Sequence, residues 1–221
     1  MPGFFSAWLS SLRRRVRLSA MESREVCGFP VDVENSRFDI ETQTVVTKLE
    51  AALQTIQQFD PRRFRRLRSD IHRLWVVRYP CRGAFFPDQR ICMVELTFLA
   101  RPDMTPAQVA ASIVHEGAHA RLFSARVKRE RLTPAREERF CRRAEVAFAH
   151  TLPVELAAPV LSRAEGAIEG SDDDAAPTID WHEAARRQRE ADIQALPVPP
   201  WLKRVLLHRV ARERSRSTGA G

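Results

Sequence analysis

The sequence predicts an α+β protein that is mostly helical, with a small antiparallel sheet packed on two central helices. The helix formers Ala, Leu, Arg and Glu are abundant, whereas the chain has only eight Gly and one Tyr. Apolar residues recur at helical spacing in several segments, and two short segments are rich in β-branched and aromatic residues. At 221 residues, one domain with appendages fits better than two full domains.

The first third of the chain predicts a lead-in followed by two helices and the sheet. We expect residues 1–35 to form a lead-in that is flexible or folds as an amphipathic helix. Apolar positions predict a helix over 38–59, and a short basic helix follows to about residue 68. The segments "IHRLWVVRY" and "ICMVELTFL", with the turn-like "PCRGAFFPDQR" between them, predict two antiparallel strands.

Two helices with the same kind of start form the centre of the predicted domain, which we place at 36–165. In the stretch "TPAQ" at 105–108, Thr is a good N-cap, Pro suits the first helical turn and Gln completes a capping box. This helix should run to about Ala125. The stretch "TPAR" at 133–136 repeats the Thr-Pro start, and Pro153 marks the end of the second helix.

The last quarter of the chain predicts appendages to that domain. An acidic linker containing "EGSDDDAAP" is expected at 166–179, and basic helices at 180–214. Residues 215–221 predict a disordered tail.

Charge and cysteine content restrict the protein's surroundings only loosely. The formal net charge of +8 is carried by arginine clusters, which favours solvated helix faces and leaves nucleic-acid binding as a weakly supported alternative. The four cysteines have no paired spacing, so we expect a reducing, cytoplasmic compartment. The N-terminus does not resemble a secretory signal, and no apolar run reaches transmembrane length. The oligomeric state cannot be read from the sequence.

The stretch "SIVHEGAHARL" in the first central helix carries the clearest chemical pattern. His115 and His119 are four residues apart and therefore lie on one face of a helix, where two imidazoles can bind one metal ion. Glu116 lies beside that face and can act on a water without being a ligand. This is the HExxH arrangement of zinc hydrolases, in which Zn²⁺ activates a water and the Glu serves as general base.

The surroundings of the motif favour a metal site over a chance pattern. No charged residue lies between Pro106 and Val114, and a helix that is apolar on all sides is buried. Two imidazoles and a carboxylate are costly to bury without partners, and a metal ion would compensate that cost.

A third ligand is expected from the second central helix. Glu138, Cys141, Glu145 and Phe148 are spaced by three, four and three residues, which places them on one stripe of that helix. Either glutamate could complete the site that a catalytic zinc needs, namely three protein ligands and one open position. Cys141 is interpreted as a core residue, or as a redox-sensitive neighbour of the metal.

These motifs, within about residues 70–153, resemble the gluzincin class of zinc metallopeptidases. In that class HExxH is followed by a ligand glutamate on the next helix, and eighteen residues separate His119 from Glu138, as in the aminopeptidase N family. The chain also resembles bacterial proteins with "VHE..HARL" followed by "E..C...E..F". The resemblance implies a zincin-like fold, one Zn²⁺ held by His115, His119 and Glu138, and catalysis by Glu116.

The resemblance leaves the role of Glu145 open. It implies that Glu145 supports a zinc-binding histidine through the second ring nitrogen. In the alternative, Glu145 is itself the ligand, as the longer spacing and the "FA" at 148–149 suggest by similarity to metallopeptidases related to phage-repressor-cleaving regulators. The metal could also be Mn or Fe, because both can use a His₂Glu site.

Substrate binding and oxyanion stabilisation are less well determined by the sequence. Zincins place an edge strand beside the active-site helix, and "ICMVELTFL" precedes that helix here. Gluzincins use a Tyr or His for the oxyanion, which makes Tyr79 and His182 weak candidates. The aminopeptidase motif GAMEN does not occur in the chain, so aminopeptidase specificity is not implied.

The sequence therefore favours a zinc-dependent hydrolase, and within that class a metallopeptidase acting on a peptide or protein. Three alternatives remain: a non-catalytic zinc-binding scaffold, a basic nucleic-acid-binding or regulatory protein on a metallopeptidase-like core, and an effector that needs a partner. The substrate and the choice between endo- and exo-cleavage are not predicted.

Overall fold

The computed structural model describes residues 21–126, 133–169 and 180–217. Within these ranges the chain is mostly helical and has one mixed sheet of five strands. The strands are β1 Met21–Val26, β2 Phe29–Glu34, β3 Arg73–Val77, β4 Gly83–Phe86 and β5 Ile91–Glu95. The helices are α1 Thr42–Phe59, α2 Pro61–Asp70, α3 Leu96–Ala100, α4 Pro106–Ser124, α5 Pro134–Ala149, α6 Val154–Glu169, α7 Trp181–Ala195 and α8 Pro200–Ser217. The predicted α+β class is confirmed.

The sheet is mixed, which corrects the antiparallel sheet expected from the sequence. Its strand order is β1-β2-β3-β5-β4. β3 is parallel to both β2 and β5, whereas the outer pairs β1–β2 and β4–β5 are antiparallel. The segment taken for a turn contains β4, which forms a hairpin with β5 and lets β5 lie parallel to β3. The β-branched and aromatic composition used for the prediction favours a strand in either orientation, so it did not distinguish the two.

Residues 21–34 correct the expectation of a lead-in reaching residue 35. They form the β1–β2 hairpin, and its turn has positive φ at Cys27 (49°) and Gly28 (79°), as a tight hairpin turn requires. Val31 and Val33 of β2 are each 1% exposed, so this hairpin belongs to the core. Residues 1–20, where an amphipathic helix was considered, lie outside the described ranges.

The hydrophobic core lies between one face of the sheet and helices α1 and α4. Leu74, Val76 and Val94 project from the sheet into this core and are almost fully buried. Leu49 and Leu53 of α1 are completely buried against them. Because α4 lies in the middle of this layer, it is apolar on nearly every side.

Helix α2 crosses α4 closely at Gly117. A Cβ placed on Gly117 would lie 2.0 Å from Cδ2 of Leu67, so a larger residue at that position would force the Leu67 side chain to move. A neighbouring side chain therefore explains the glycine, and neither a backbone nor a substrate is needed to account for it.

The remaining elements refine the predicted boundaries. The segment "TFL" after β5 is not strand but part of the short helix α3, whose first turn is capped by the Glu95 carboxylate, 2.7 Å from the Phe98 N–H. α6 continues through Pro159 to Glu169, beyond the start expected for the linker, and residues 170–179 lie outside the described ranges. α8 extends to Ser217, into the predicted tail. None of the described helices is long and apolar enough to cross a membrane.

Candidate metal centre

Helix α4 holds the HExxH motif in the most buried part of the molecule. The helix begins with the predicted capping box, in which Thr105 and Gln108 each bond the other's backbone. His115 and Glu116 are only 7% and 8% exposed. The local sequence therefore fixes the start of the helix, and core packing fixes the direction in which these side chains point.

The two histidines present their Nε2 atoms to one another. Nε2 of His115 and Nε2 of His119 are 3.3 Å apart. The Nδ1 atoms are held on the other side, where His115 donates to Glu145 Oε1 at 2.7 Å and His119 donates to Glu137 Oε1 at 2.8 Å. An Nδ1–H held by a carboxylate leaves the Nε2 lone pair free to bind a metal.

The Glu138 carboxylate closes the third side of this group. Its oxygens lie 3.4 Å from Nε2 of His115 and 3.3 Å from Nε2 of His119. Donor atoms about 2.0–2.1 Å from one tetrahedral zinc are roughly 3.3–3.4 Å apart. The spacing of these three donor groups therefore fits one zinc ion with His115, His119 and Glu138 as ligands.

Glu145 occupies the supporting position and not the ligand position. It is 1% exposed, and its Oε1 accepts from Nδ1 of His115, the nitrogen that points away from Glu138. Arg142 Nη1 donates to the same oxygen at 2.8 Å, and Arg163 Nη2 donates to Oε2 at 3.3 Å. This geometry favours Glu138 over Glu145 as the third ligand.

Sequence reasoning missed Glu137, which holds His119 in the same way as Glu145 holds His115. Glu137 directly precedes Glu138 at the start of α5 and is partly exposed. A signal was present, because each metal-binding imidazole needs an acceptor for its second nitrogen. Only one such acceptor had been assigned for two histidines.

Glu116 faces the first residue of strand β4. A Cβ placed on Gly83 would lie 2.8 Å from Oε1 of Glu116, so the absence of a side chain lets the strand pass the carboxylate. No hydrogen-bond donor to Glu116 is found among the described residues. β4 is the outermost strand on this side of the sheet, which corrects the expectation that "ICMVELTFL", now β5, supplies the edge strand.

The pKa shifts reflect four glutamates gathered around two imidazoles. Burial raises the pKa of Glu116. Burial alone would lower the pKa of His119, but its hydrogen bonds to Glu138 and Glu137 and the charge of Glu116 raise it to about 9. Hydrogen bonds to both imidazoles hold the pKa of Glu138 well below its usual range. The site thus attracts positive charge, as a cation-binding site should.

Cys141 lies closer to the centre than the sequence indicated. One ligand atom from each of His115, His119 and Cys141 falls within 4.8 Å of the others. The side chain is fully buried, and burial together with the Glu138 charge raises the pKa of its thiol. A fourth protein ligand is therefore within reach of the metal position, in addition to Glu138.

The two candidates for oxyanion stabilisation do not gain support. The Tyr79 ring packs edge-on against Phe86 at 6.0 Å. Phe86 alternates along β4 with Phe85, which packs on Phe123 of α4 at 6.1 Å. The contact with Phe86 joins Tyr79 to β4, and the expected role of Tyr79 at the metal centre stays a prediction. His182 lies in α7, but its side chain is outside the described part of the structure.

Comparison with known protein families, curated proteins and solved structures finds no match to this chain.

Proposed function

We propose that the protein is a zinc-dependent hydrolase, and within that class a metallopeptidase. One observation carries the proposal: the Nε2 atoms of His115 and His119 and the Glu138 oxygens converge at 3.3–3.4 Å from one another. The Nδ1 atom of each histidine is held by a carboxylate, as is usual for histidines that bind a metal. His115, His119 and Glu138 would hold the metal.

The residues around that position are suited to hydrolysis. A bound zinc would lower the pKa of a water and polarise a carbonyl group. The Glu116 side chain is 8% exposed, and its carboxylate can accept the proton that an attacking water gives up. The same carboxyl can then return the proton to a leaving amine. A purely structural site has no need of such a residue.

The edge of the sheet offers a place for an extended peptide. Within the described residues β4 pairs only with β5, so its other edge offers backbone N–H and C=O groups to an added strand. Gly83, at the start of this strand, contacts Glu116. A peptide added along β4 would therefore pass the general base, which supports a peptide or protein as substrate.

The first test is the metal content of the purified protein and of His115→Ala, Glu138→Ala and Glu145→Ala variants. We expect about one zinc per wild-type chain, and its loss in the first two variants. If Glu145→Ala lost the metal and Glu138→Ala kept it, the ligand assignment would be wrong. A wild-type chain that takes up no metal when zinc is supplied would refute the proposal.

The second test separates catalysis from metal binding. Glu116→Gln keeps the shape of the side chain and removes its basicity, so we expect unchanged zinc content and a fall of about 10²–10⁴-fold in peptide cleavage. The matched control is Gln108→Glu, the reverse change on the same helix, two turns before the motif. Equal cleavage by wild type and Glu116→Gln would exclude Glu116 as the base.

A second candidate function is a non-catalytic zinc-binding scaffold, favoured by the position of Cys141. With Cys141 and Glu138 both bound, two histidines, a carboxylate and a thiolate would fill a tetrahedral site. Structural zinc sites are closed in this way, whereas catalytic sites keep one position open. In that case no position would remain for a water.

Cobalt substitution distinguishes the two candidates. A thiolate ligand gives Co²⁺ an intense charge-transfer band in the near ultraviolet, which histidine and carboxylate ligands do not give. The open site predicts no such band and unchanged metal affinity in Cys141→Ser. A band that Cys141→Ser abolishes, together with weaker metal binding, would establish the closed site.

A further inference from the structure

Three arginines lie near the buried Glu145 carboxylate, and two of them bond it. Arg142 Nη1 donates to Glu145 Oε1, the oxygen that also accepts from His115, and Arg163 Nη2 donates to Oε2. Arg82, the third member, immediately precedes Gly83 and is exposed to solvent. We refer to Arg82, Arg142 and Arg163 as the arginine cluster.

The hydrogen bonds of Arg163 are incomplete. Its Nη2 bonds Glu145 and lies 3.5 Å from Ser112 Oγ, but Nε and Nη1 are buried without a partner among the described residues. Burying a guanidinium donor without an acceptor is costly, and native proteins rarely leave one so. Such atoms commonly mark the position of a ligand or water.

Arg82 brings a further positive charge to the same place. Burial and the charges of Arg163 and Arg142 lower its pKa, and the charge of Glu145 raises it. No hydrogen bond or ion pair of the Arg82 side chain is found within the described residues. Its backbone carbonyl accepts from the Glu95 N–H at 2.8 Å, which fixes this residue at the start of β4.

The charges within this group do not balance. Arg142 and Arg163 both pair with one carboxylate, Glu145, whose Oε1 also meets His115, and no ion pair of Arg82 is found within the described residues. Like charges repel more strongly where burial reduces screening by water, and a bound anion would offset that repulsion. The guanidinium fork matches a carboxylate group in shape and charge, often through two parallel hydrogen bonds.

We propose that the arginine cluster is a subsite that binds a carboxylate group of the substrate, either a C-terminal carboxylate or an acidic side chain. The inference rests on the proposed function and extends it to substrate choice. Arg82 is adjacent to Gly83, the point where a peptide added along β4 passes Glu116. A carboxylate near the scissile bond would therefore reach the cluster.

The test measures binding of short peptides by calorimetry, with and without added zinc, in the Glu116→Gln chain that should not consume them. The first pair of probes is acetylated tetra-alanine with a free C-terminal carboxylate and the same peptide with a C-terminal amide. The other probes are amidated peptides in which Glu or Gln replaces Ala at each position in turn. We expect at least one carboxylate probe to bind about tenfold more tightly than its neutral counterpart. A preference for the free acid identifies a C-terminal carboxylate, and a preference for Glu identifies an acidic side chain.

Arg82→Gln is the most informative variant, because Arg142 and Arg163 also support Glu145 and their loss would disturb the metal centre. We expect Arg82→Gln to keep its zinc content and to lose most of the preference for carboxylate probes. The matched control is Arg187→Gln, which removes the same charge from an exposed arginine of α7 that is paired with Glu183. This control should keep the full preference.

Two results would overturn the inference: equal binding of carboxylate and neutral probes, or a preference that survives in Arg82→Gln. An equal loss in Arg187→Gln would also overturn it, because net charge alone would then explain the effect. Failure of the proposed function has a different signature, namely no zinc uptake and no cleavage by the wild-type chain. The binding measurements decide the role of the cluster in either case.

Discussion

Helices α4 and α5 meet at the candidate metal centre, yet they are built in opposite ways. α4 is buried along most of its length and supplies the histidines and Glu116, whereas α5 buries one narrow stripe and exposes arginines on its other sides. The rigid core fixes the direction of the imidazoles. The carboxylates that bind or hold them come from the helix that is exposed to solvent. We therefore expect changes near α4 to affect catalysis and folding, and changes in α5 to affect metal affinity.

The largest effect is expected where strand β4 touches α4. Gly83→Ala would place a Cβ 2.8 Å from Oε1 of Glu116 and force the carboxylate to move. A misplacement of this size can cost up to about 10²-fold in rate, so we predict a fall of that order in peptide cleavage with zinc content unchanged. Ala84→Ser, at the next position and on the opposite face, is the control. Equal cleavage by Gly83→Ala would show that the position of Glu116 is unimportant.

The two supporting glutamates of α5 should differ in what they stabilise. We predict that Glu137→Gln and Glu145→Gln each weaken zinc binding by roughly 10–100-fold, because each holds the Nδ1–H of one histidine of the proposed metal site. Glu145→Gln should also lower the free energy of unfolding by about 1–3 kcal/mol, because it is buried and bonds two arginines. Competition with a zinc-binding dye and chemical denaturation measure the two quantities.

A different result would change the comparison of the helices. Glu137 is partly exposed, and its replacement should leave stability nearly unchanged. If Glu137→Gln and Glu145→Gln lowered the free energy of unfolding equally, the difference in burial between the two glutamates would not determine their contribution to stability. If neither weakened zinc binding, the carboxylates would not orient the imidazoles.

The crossing of α2 and α4 should affect folding alone. Gly117→Ala would place a Cβ 2.0 Å from Leu67 Cδ2, and we predict a loss of about 1–3 kcal/mol in the free energy of unfolding from overpacking. In the double variant Gly117→Ala/Leu67→Ala, the loss in the free energy of unfolding should be smaller than the sum of the losses in the two single variants, because the smaller side chain at position 67 relieves the clash. Denaturant titrations of the four chains measure this coupling, and strict additivity would exclude the clash.

The smallest effect concerns the two Thr caps. Thr105→Ala breaks both bonds of a capping box and should cost about 1 kcal/mol of stability, whereas Thr133 makes a single 3.3 Å bond to the Arg136 N–H and should cost less. Thermal unfolding of the two variants compares them directly. An equal loss would show that the reciprocal bond of Gln108 contributes nothing.

The motif and its helix were predictable because their signals are local. The spacing of His115 and His119 and the apolar residues around them determine a buried helix with both imidazoles on one face. The same periodicity placed Glu138 and Glu145 on one stripe of the next helix. It could not separate their roles, since the distinction depends on which imidazole nitrogen each carboxylate meets.

The features that the sequence did not predict share a physical cause: each depends on contacts with residues distant in the sequence. β1 carries exposed charged residues, β2 alternates charged with apolar residues, and pairing with β3 helps to bury Val31 and Val33. The sequence predicts a turn where β4 lies, because its four residues form a strand only through their pairing with β5. The order of the strands likewise depends on partners that are distant in the sequence.

By itself the sequence determined the helical class, the capped starts of α4 and α5, and the spacing that lets two histidines and a glutamate converge. These features follow from backbone periodicity and capping, which act within a few residues. Only the tertiary structure decided that Glu137 and Glu145 hold the imidazoles, that Gly83 brings β4 against Glu116, and that Arg142 and Arg163 bond Glu145. Such contacts join residues far apart in the chain, and their geometry is set by core packing, which no local pattern encodes.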